Sequence, residues 1–91
     1  MSMADTIGRK LTDAFSPQSL NIVNESHLHA GHGDHVLSGE SHFRVYIVSE
    51  AFNGKSRLQR HRMINELLAA ELRDHVHALA IHANTPEEAV R

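Results

Sequence analysis

The run His42-Phe43-Arg44-Val45-Tyr46-Ile47-Val48 restricts the fold of this chain more than any other segment. Phe43, Val45 and Ile47 point one way and Arg44 and Tyr46 the other, the period of two that a half-buried strand requires. Such a strand needs backbone partners and a layer over its apolar face. Leu20, Ile22 and Val23 form a β-prone run ending at Asn24, which predicts a first strand; Val76 to Ala83 (VHALAIHA) predicts a third, with Leu79 and Ile81 on one face and His77 at its start on that same face. The covering layer is predicted from helical spacing. Ile7, Leu11, Ala14 and Phe15 give an amphipathic helix over about residues 4 to 15, stopped by Ser16-Pro17. Ile64, Leu67, Leu68 and Leu72 give the longest helix, over about 57 to 73. It follows a turn, Phe52-Asn53-Gly54-Lys55-Ser56, in which Gly54 is free to take positive φ and Ser56 to cap the helix. Thr85-Pro86 is a cap and first-turn pair for a short terminal helix over EEAVR.

The predicted order is therefore α-β-β-α-β-α, an α/β (α+β) fold in one domain over residues 1–91. The first two strands should pair antiparallel. The third, reached through a crossover helix, should run parallel to one of them, giving a mixed three-stranded sheet with helices on one face. With 41% of its residues hydrophobic, a chain of 91 can bury a modest core without a staple. It has no cysteine, which excludes a disulfide, a Cys-based zinc site and a thiol nucleophile; any iron–sulfur role would have to borrow thiolates. The start, MSMADTIGRKLTDAF, lacks the apolar run of a signal peptide and carries Asp5 and Asp13, unlike a transit peptide. No stretch approaches the roughly 20 apolar residues of a membrane span. The expectation is a cytoplasmic protein that makes no use of a membrane.

The formal charge of −2 gives no global footprint for nucleic acid. Nine histidines direct attention elsewhere. Between the first two strands, at about residues 26–40, lies a long loop rich in histidine and glycine, HLHAGHGDHVLSGE, and unusual loop length is a functional hint. His27, His29, His32 and His35, with Asp34 among them, are of the residue types that hold zinc, copper, nickel or iron. A loop presets no ligand geometry, so the same residues also read as a solvated polar segment. His77, on the apolar face of a strand, must either satisfy both ring nitrogens internally or lie at the strand end within reach of a ligand. His42 reads as a structural residue opening the second strand, and His61 as a cap or a solvated side chain.

Other motifs are incomplete. Gly54-Lys55-Ser56 looks like the end of a Walker A loop, but Ser49 stands where its first glycine belongs. The GxxG clamp of KH modules is absent. There is no HExxH and no paired-carboxylate constellation, so no catalytic machinery is visible and a non-enzyme is expected. Lys55, Arg57, Arg60 and Arg62, with His61 between the last two arginines, would form a basic patch at a helix N-terminus, the end that favours anions. Such a helix either contacts DNA or presents a solvated face.

Taken together, several segments resemble the BolA family: Asn24-Glu25-Ser26 with His29 beyond it, Glu40-Ser41-His42-Phe43-Arg44-Val45, Phe52 through the Arg60-His61-Arg62 triplet, and Val76-His77-Ala78-Leu79. The resemblance runs from about Ile7 to Pro86. It implies a fold similar to class II KH domains and a partner, a monothiol glutaredoxin, with which BolA-like proteins share a [2Fe–2S] cluster; glutaredoxin and glutathione supply thiolate and the BolA protein histidine. His77 matches the family's C-terminal histidine ligand and His29 that of the loop between the first two strands. His27, His32 and His35 compete for the second place. Histidine in place of cysteine on one iron raises the reduction potential, as in Rieske centres. The family is also described as DNA-binding transcriptional regulators. That reading would use the Gly54 turn with Lys55, Arg57, Arg60, His61 and Arg62, in binding that is modest and salt-sensitive.

Overall fold

The computed structural model describes residues 2–25 and 42–90. Helix α1 (Met3–Phe15) opens with a capping box, in which the Ser2 hydroxyl accepts from the Asp5 N–H at 3.1 Å and the Asp5 carboxylate from the Ser2 N–H at 3.4 Å. It ends at Ser16, whose left-handed φ of 44° turns the chain ahead of Pro17. Strand β1 (Ser19–Asn24) pairs antiparallel with β2 (His42–Val48), and β2 pairs parallel with β3 (Ala78–Asn84). The sheet order β1-β2-β3 puts the alternating run at the centre.

Register makes the three strands one surface. Leu20 and Ile22 on β1 stand opposite Ile47 and Val45; Leu79, Ile81 and Ala83 on β3 stand beside Phe43, Val45 and Ile47. These side chains meet Ile7 and Leu11 of α1 and Ile64 and Leu68 in a core whose central members are fully buried. At Gly8 the helix approaches the sheet so closely that a Cβ there would lie 3.3 Å from Cδ1 of Ile22. Arg44, Tyr46 and His82 take the alternate positions, on the face away from the core. The helices thus cover one face, as the pattern requires.

The long helix predicted over 57 to 73 is divided. Helix α2 (Arg57–Leu67) stops at Leu68, where φ −100° and ψ 20° turn the axis, and α3 (Ala69–Asp74) continues from it. The turn leaves Leu68 buried and keeps both Leu67 and Leu72 packed against the core. Lys10 ties α3 back to α1 through a 2.9 Å ion pair with Glu71, which holds that carboxyl below its ordinary range. The third strand begins two residues later than predicted: Val76 is buried ahead of it, its N–H donating to the Glu71 carbonyl at 2.7 Å. Thr85 and Pro86 start the terminal helix α4 (Pro86–Ala89) with a second reciprocal cap, to Glu88.

Between β2 and α2 lies a single 3-10 turn, Glu50–Phe52. Ser49, 1% exposed, organises it: its hydroxyl donates to the Phe15 carbonyl at 2.6 Å and accepts from the Ala51 N–H at 3.0 Å. The Phe52 ring, fully buried, meets Phe15 at 5.1 Å between centres. Ser49→Ala removes both bonds in a dry site and should destabilise the protein by about 1–3 kcal/mol. In urea unfolding the midpoint should fall with the slope unchanged.

Candidate functional site

Chemistry-bearing side chains gather at both ends of the sheet. At the end where β2 and β3 begin, the His42 carbonyl accepts from the Glu25 N–H at 2.8 Å and His42 stands in register with Ala78. His77 immediately precedes Ala78 in a bend and is exposed. The alternation that would put it on the face of Leu79 and Ile81 therefore does not extend to it. Of the two readings open for His77, its exposure matches a side chain at the strand end within reach of a ligand. Its ring lies edge-on to that of half-buried His42, with centres 6.0 Å apart and planes at 88°. The sequence assigned His42 only a structural place; their adjacency depends on a pairing between segments 35 residues apart. Among the described residues, no group of three or more His, Cys, Asp or Glu side chains forms a metal-holding cluster. His27, His29, His32 and His35 lie outside the described residues.

On the face away from the core, the Arg44 Nε donates to Glu25 at 2.9 Å and its Nη1 lies 3.1 Å from Nε2 of His82. The Glu25 carboxylate favours the charged guanidinium and raises the Arg44 pKa. His82 stacks on Tyr46 with centres 4.7 Å apart. None of this network was singled out from the sequence.

At the other end of the strands, Gly54 takes φ 76° and delivers the chain to Ser56. Ser56 caps α2 reciprocally with Gln59, at 3.1 and 2.7 Å. Lys55, Arg57 and Arg62 are exposed and His61 is half-buried. Arg60 is not part of the exposed basic surface. It is 8% exposed, and its guanidinium donates to the Lys55 carbonyl (3.0 Å), the Ala83 carbonyl (2.9 Å) and both carboxylate oxygens of Glu88 (2.7 and 3.2 Å). The planar fork of an arginine suits such a bidentate pair. A shallow concavity of about 450 Å³ is lined by Lys55, Ser56, Arg57, Arg60, Asn84 and Glu88. Strands of seven residues separate this end from His42 and His77 by about 20 Å.

The mixed three-stranded sheet, its single helical layer and the capped helix after a glycine turn define a small α+β domain with two separated polar ends. The chain belongs to the family of BolA-like proteins, which it matches over residues 11–88. It is 48% identical to the DNA-binding transcriptional regulator BolA of Vibrio cholerae, over 92% of this chain and 76% of that one. Among solved structures it is similar to BolA1 from Arabidopsis thaliana, at 38% identity and a TM-score of 0.88 over 97% of this chain and 96% of that one. The BolA domain of SufE1 from the same plant is 44% identical with a TM-score of 0.86, at the same coverage. Among the described residues, no helix is long and apolar enough to cross a membrane.

The Arg60–Glu88 pair carries a pH dependence. Arg60, with the Thr85 N–H, lowers the Glu88 pKa from 4.5 to about 2. A carboxyl depressed on folding contributes stability that is complete above its unfolded value and lost as pH falls through the folded one. The wild-type protein should therefore lose stability between about pH 4.5 and pH 2. Glu88→Gln should be less stable at neutral pH but show a flatter acid limb in urea midpoints measured across that window.

Proposed function

We propose that this BolA-like protein works with a monothiol glutaredoxin in the binding, trafficking or sensing of a [2Fe–2S] cluster, contributing histidine and no thiolate. The observation that carries the reading is the exposure of His77 at the start of β3, beside His42 and at the sheet end where β1 finishes and β2 begins. The donor set fits. A chain without cysteine can offer iron only nitrogen or oxygen, and imidazole is the suitable one for a cluster whose remaining ligands are thiolates. His77 would be one ligand and a histidine from the 26–40 segment, His29 by resemblance, the other; glutaredoxin and glutathione would supply sulfur. Bound in this way, the cluster would have a higher reduction potential than one held by cysteine alone. The domain is a binding module on this reading, not a catalyst, and belongs in a reducing, glutathione-containing compartment such as the cytoplasm.

A second reading, a transcriptional regulator that binds DNA, is favoured by a different observation. Lys55, Arg57 and Arg62 are exposed at the start of α2, beside the concavity, and an α-helix N-terminus favours phosphate. Relatives in Vibrio cholerae and Escherichia coli carry the name DNA-binding transcriptional regulator. Arg60, engaged by Glu88 and two carbonyls, would support this surface rather than touch DNA.

Two variants separate the readings, because the two ends are too far apart to couple strongly. The protein is reconstituted with iron, sulfide, glutathione and a monothiol glutaredoxin, and visible circular dichroism is recorded. His77→Ala should abolish the spectrum that distinguishes the heterocomplex from the glutaredoxin homodimer, and leave DNA affinity unchanged. The double variant Lys55→Ala/Arg57→Ala should keep that spectrum and, on the DNA-binding reading, reduce the salt slope of DNA affinity by about 2. An unchanged spectrum in His77→Ala would remove the cluster reading.

A further inference from the structure

We propose that the uncovered face of the sheet, anchored on Tyr46, His82 and Arg44, is the surface on which the cluster-sharing partner protein docks. The inference rests on the cluster reading above and gives that partner a place to sit. Register supplies the direction. His42, Arg44 and Tyr46 alternate with the buried Phe43, Val45 and Ile47, so His42 belongs to the uncovered face, and the His77 ring, edge-on to it, stands at one end of that face. Area supplies the extent. A stable interface covers about 800 Å² on each partner, a disc of roughly 16 Å radius. Tyr46, four residues along β2 from His42, is only about 13 Å away, and His82 stands beside it in register. A protein that meets His77 and lies on this face therefore reaches both rings.

The chemistry of the face suits a folded protein better than a nucleic acid. Tyr46 is 42% exposed, and tyrosine and arginine are among the residues that anchor protein interfaces. Exposed side chains usually lose rotamer freedom when a partner orders them. Here the order is already present: Tyr46 stacks on His82 with centres 4.7 Å apart and planes at 11°, and Arg44 is held by Glu25 at 2.9 Å and lies 3.1 Å from Nε2 of His82. Preorganised anchors of this kind lower the entropic cost of association. Phosphate, in contrast, is attracted by unpaired cations, and this guanidinium is already paired with a carboxylate.

The test titrates the full chain into a monothiol glutaredoxin reconstituted with iron, sulfide and glutathione, and takes the apparent Kd of the heterocomplex from its visible circular dichroism. Tyr46→Glu places a charge in the patch and should weaken assembly about tenfold or more. Tyr46→Phe, which keeps the ring, should assemble like the wild type, as should Asp13→Lys on exposed α1 in the helical layer. If Tyr46→Glu fails to fold, His82→Ala, which removes the stacking ring from an exposed position, should weaken assembly in the same direction. Wild-type affinity in a folded Tyr46→Glu or His82→Ala variant would overturn the docking surface while leaving the cluster reading intact, and so would a loss in Asp13→Lys as large as in Tyr46→Glu. A single-stranded oligonucleotide whose binding falls in Tyr46→Glu while glutaredoxin assembly does not would assign the face to nucleic acid instead. A wild-type protein that forms no heterocomplex would overturn the cluster reading itself, and this inference with it.

Discussion

The structure depends on the pairing of β2 on both of its edges. A strand with polar and apolar faces is stable only when its register is held, since a slip of one residue would turn Phe43, Val45 and Ile47 to solvent. Antiparallel pairing with β1 and parallel pairing with β3 hold it from opposite sides. The same register then decides everything built on the strand. It aligns Leu20, Ile22, Leu79 and Ile81 into one apolar surface for α1, α2 and α3, and it brings the residue before β3 to the residue that opens β2. The core and the histidine pair are two results of one alignment.

At the opposite end of the sheet a charge joins the apolar contacts in holding the elements together. A guanidinium taken out of water is destabilising unless its donors are satisfied. Arg60 satisfies them with two carbonyls and a bidentate carboxylate, linking the Gly54 turn, the end of β3 and α4. Its neighbours Lys55, Arg57 and Arg62 have no such role in the core and remain exposed. Cations close together in sequence are thereby divided between holding the fold and facing solvent.

Because the two polar ends are joined by rigid strands and do not overlap, a small domain can carry a histidine site and a cationic surface without either compromising the other. On the proposed cluster reading, the histidine end takes a partner that brings thiolate, since this chain has none. On the DNA-binding reading, the cationic end takes an anionic one. The network of Arg44, Glu25, His82 and Tyr46 occupies the uncovered face between them, with Arg44 paired to Glu25 within it.

Much of the fold was legible in the sequence, because period and punctuation are local properties. The alternation of β2, the apolar spacing of α1, the positive φ of Gly54 and the caps at Ser56 and Thr85 all follow from neighbouring residues. The break at Leu68 was not legible: Glu66-Leu67-Leu68-Ala69-Ala70 consists of strong helix formers, and nothing in them marks the stop that the structure places there. The ring contact between His42 and His77 and the bidentate bond between Arg60 and Glu88 were equally invisible. Each joins residues about 30 positions apart, and chain spacing contains no information about register. The sequence by itself determined the order of elements, the family resemblance and the absence of any thiol. The tertiary structure alone decided which cation became internal and which histidine stands beside His77, because both depend on how separate strands align.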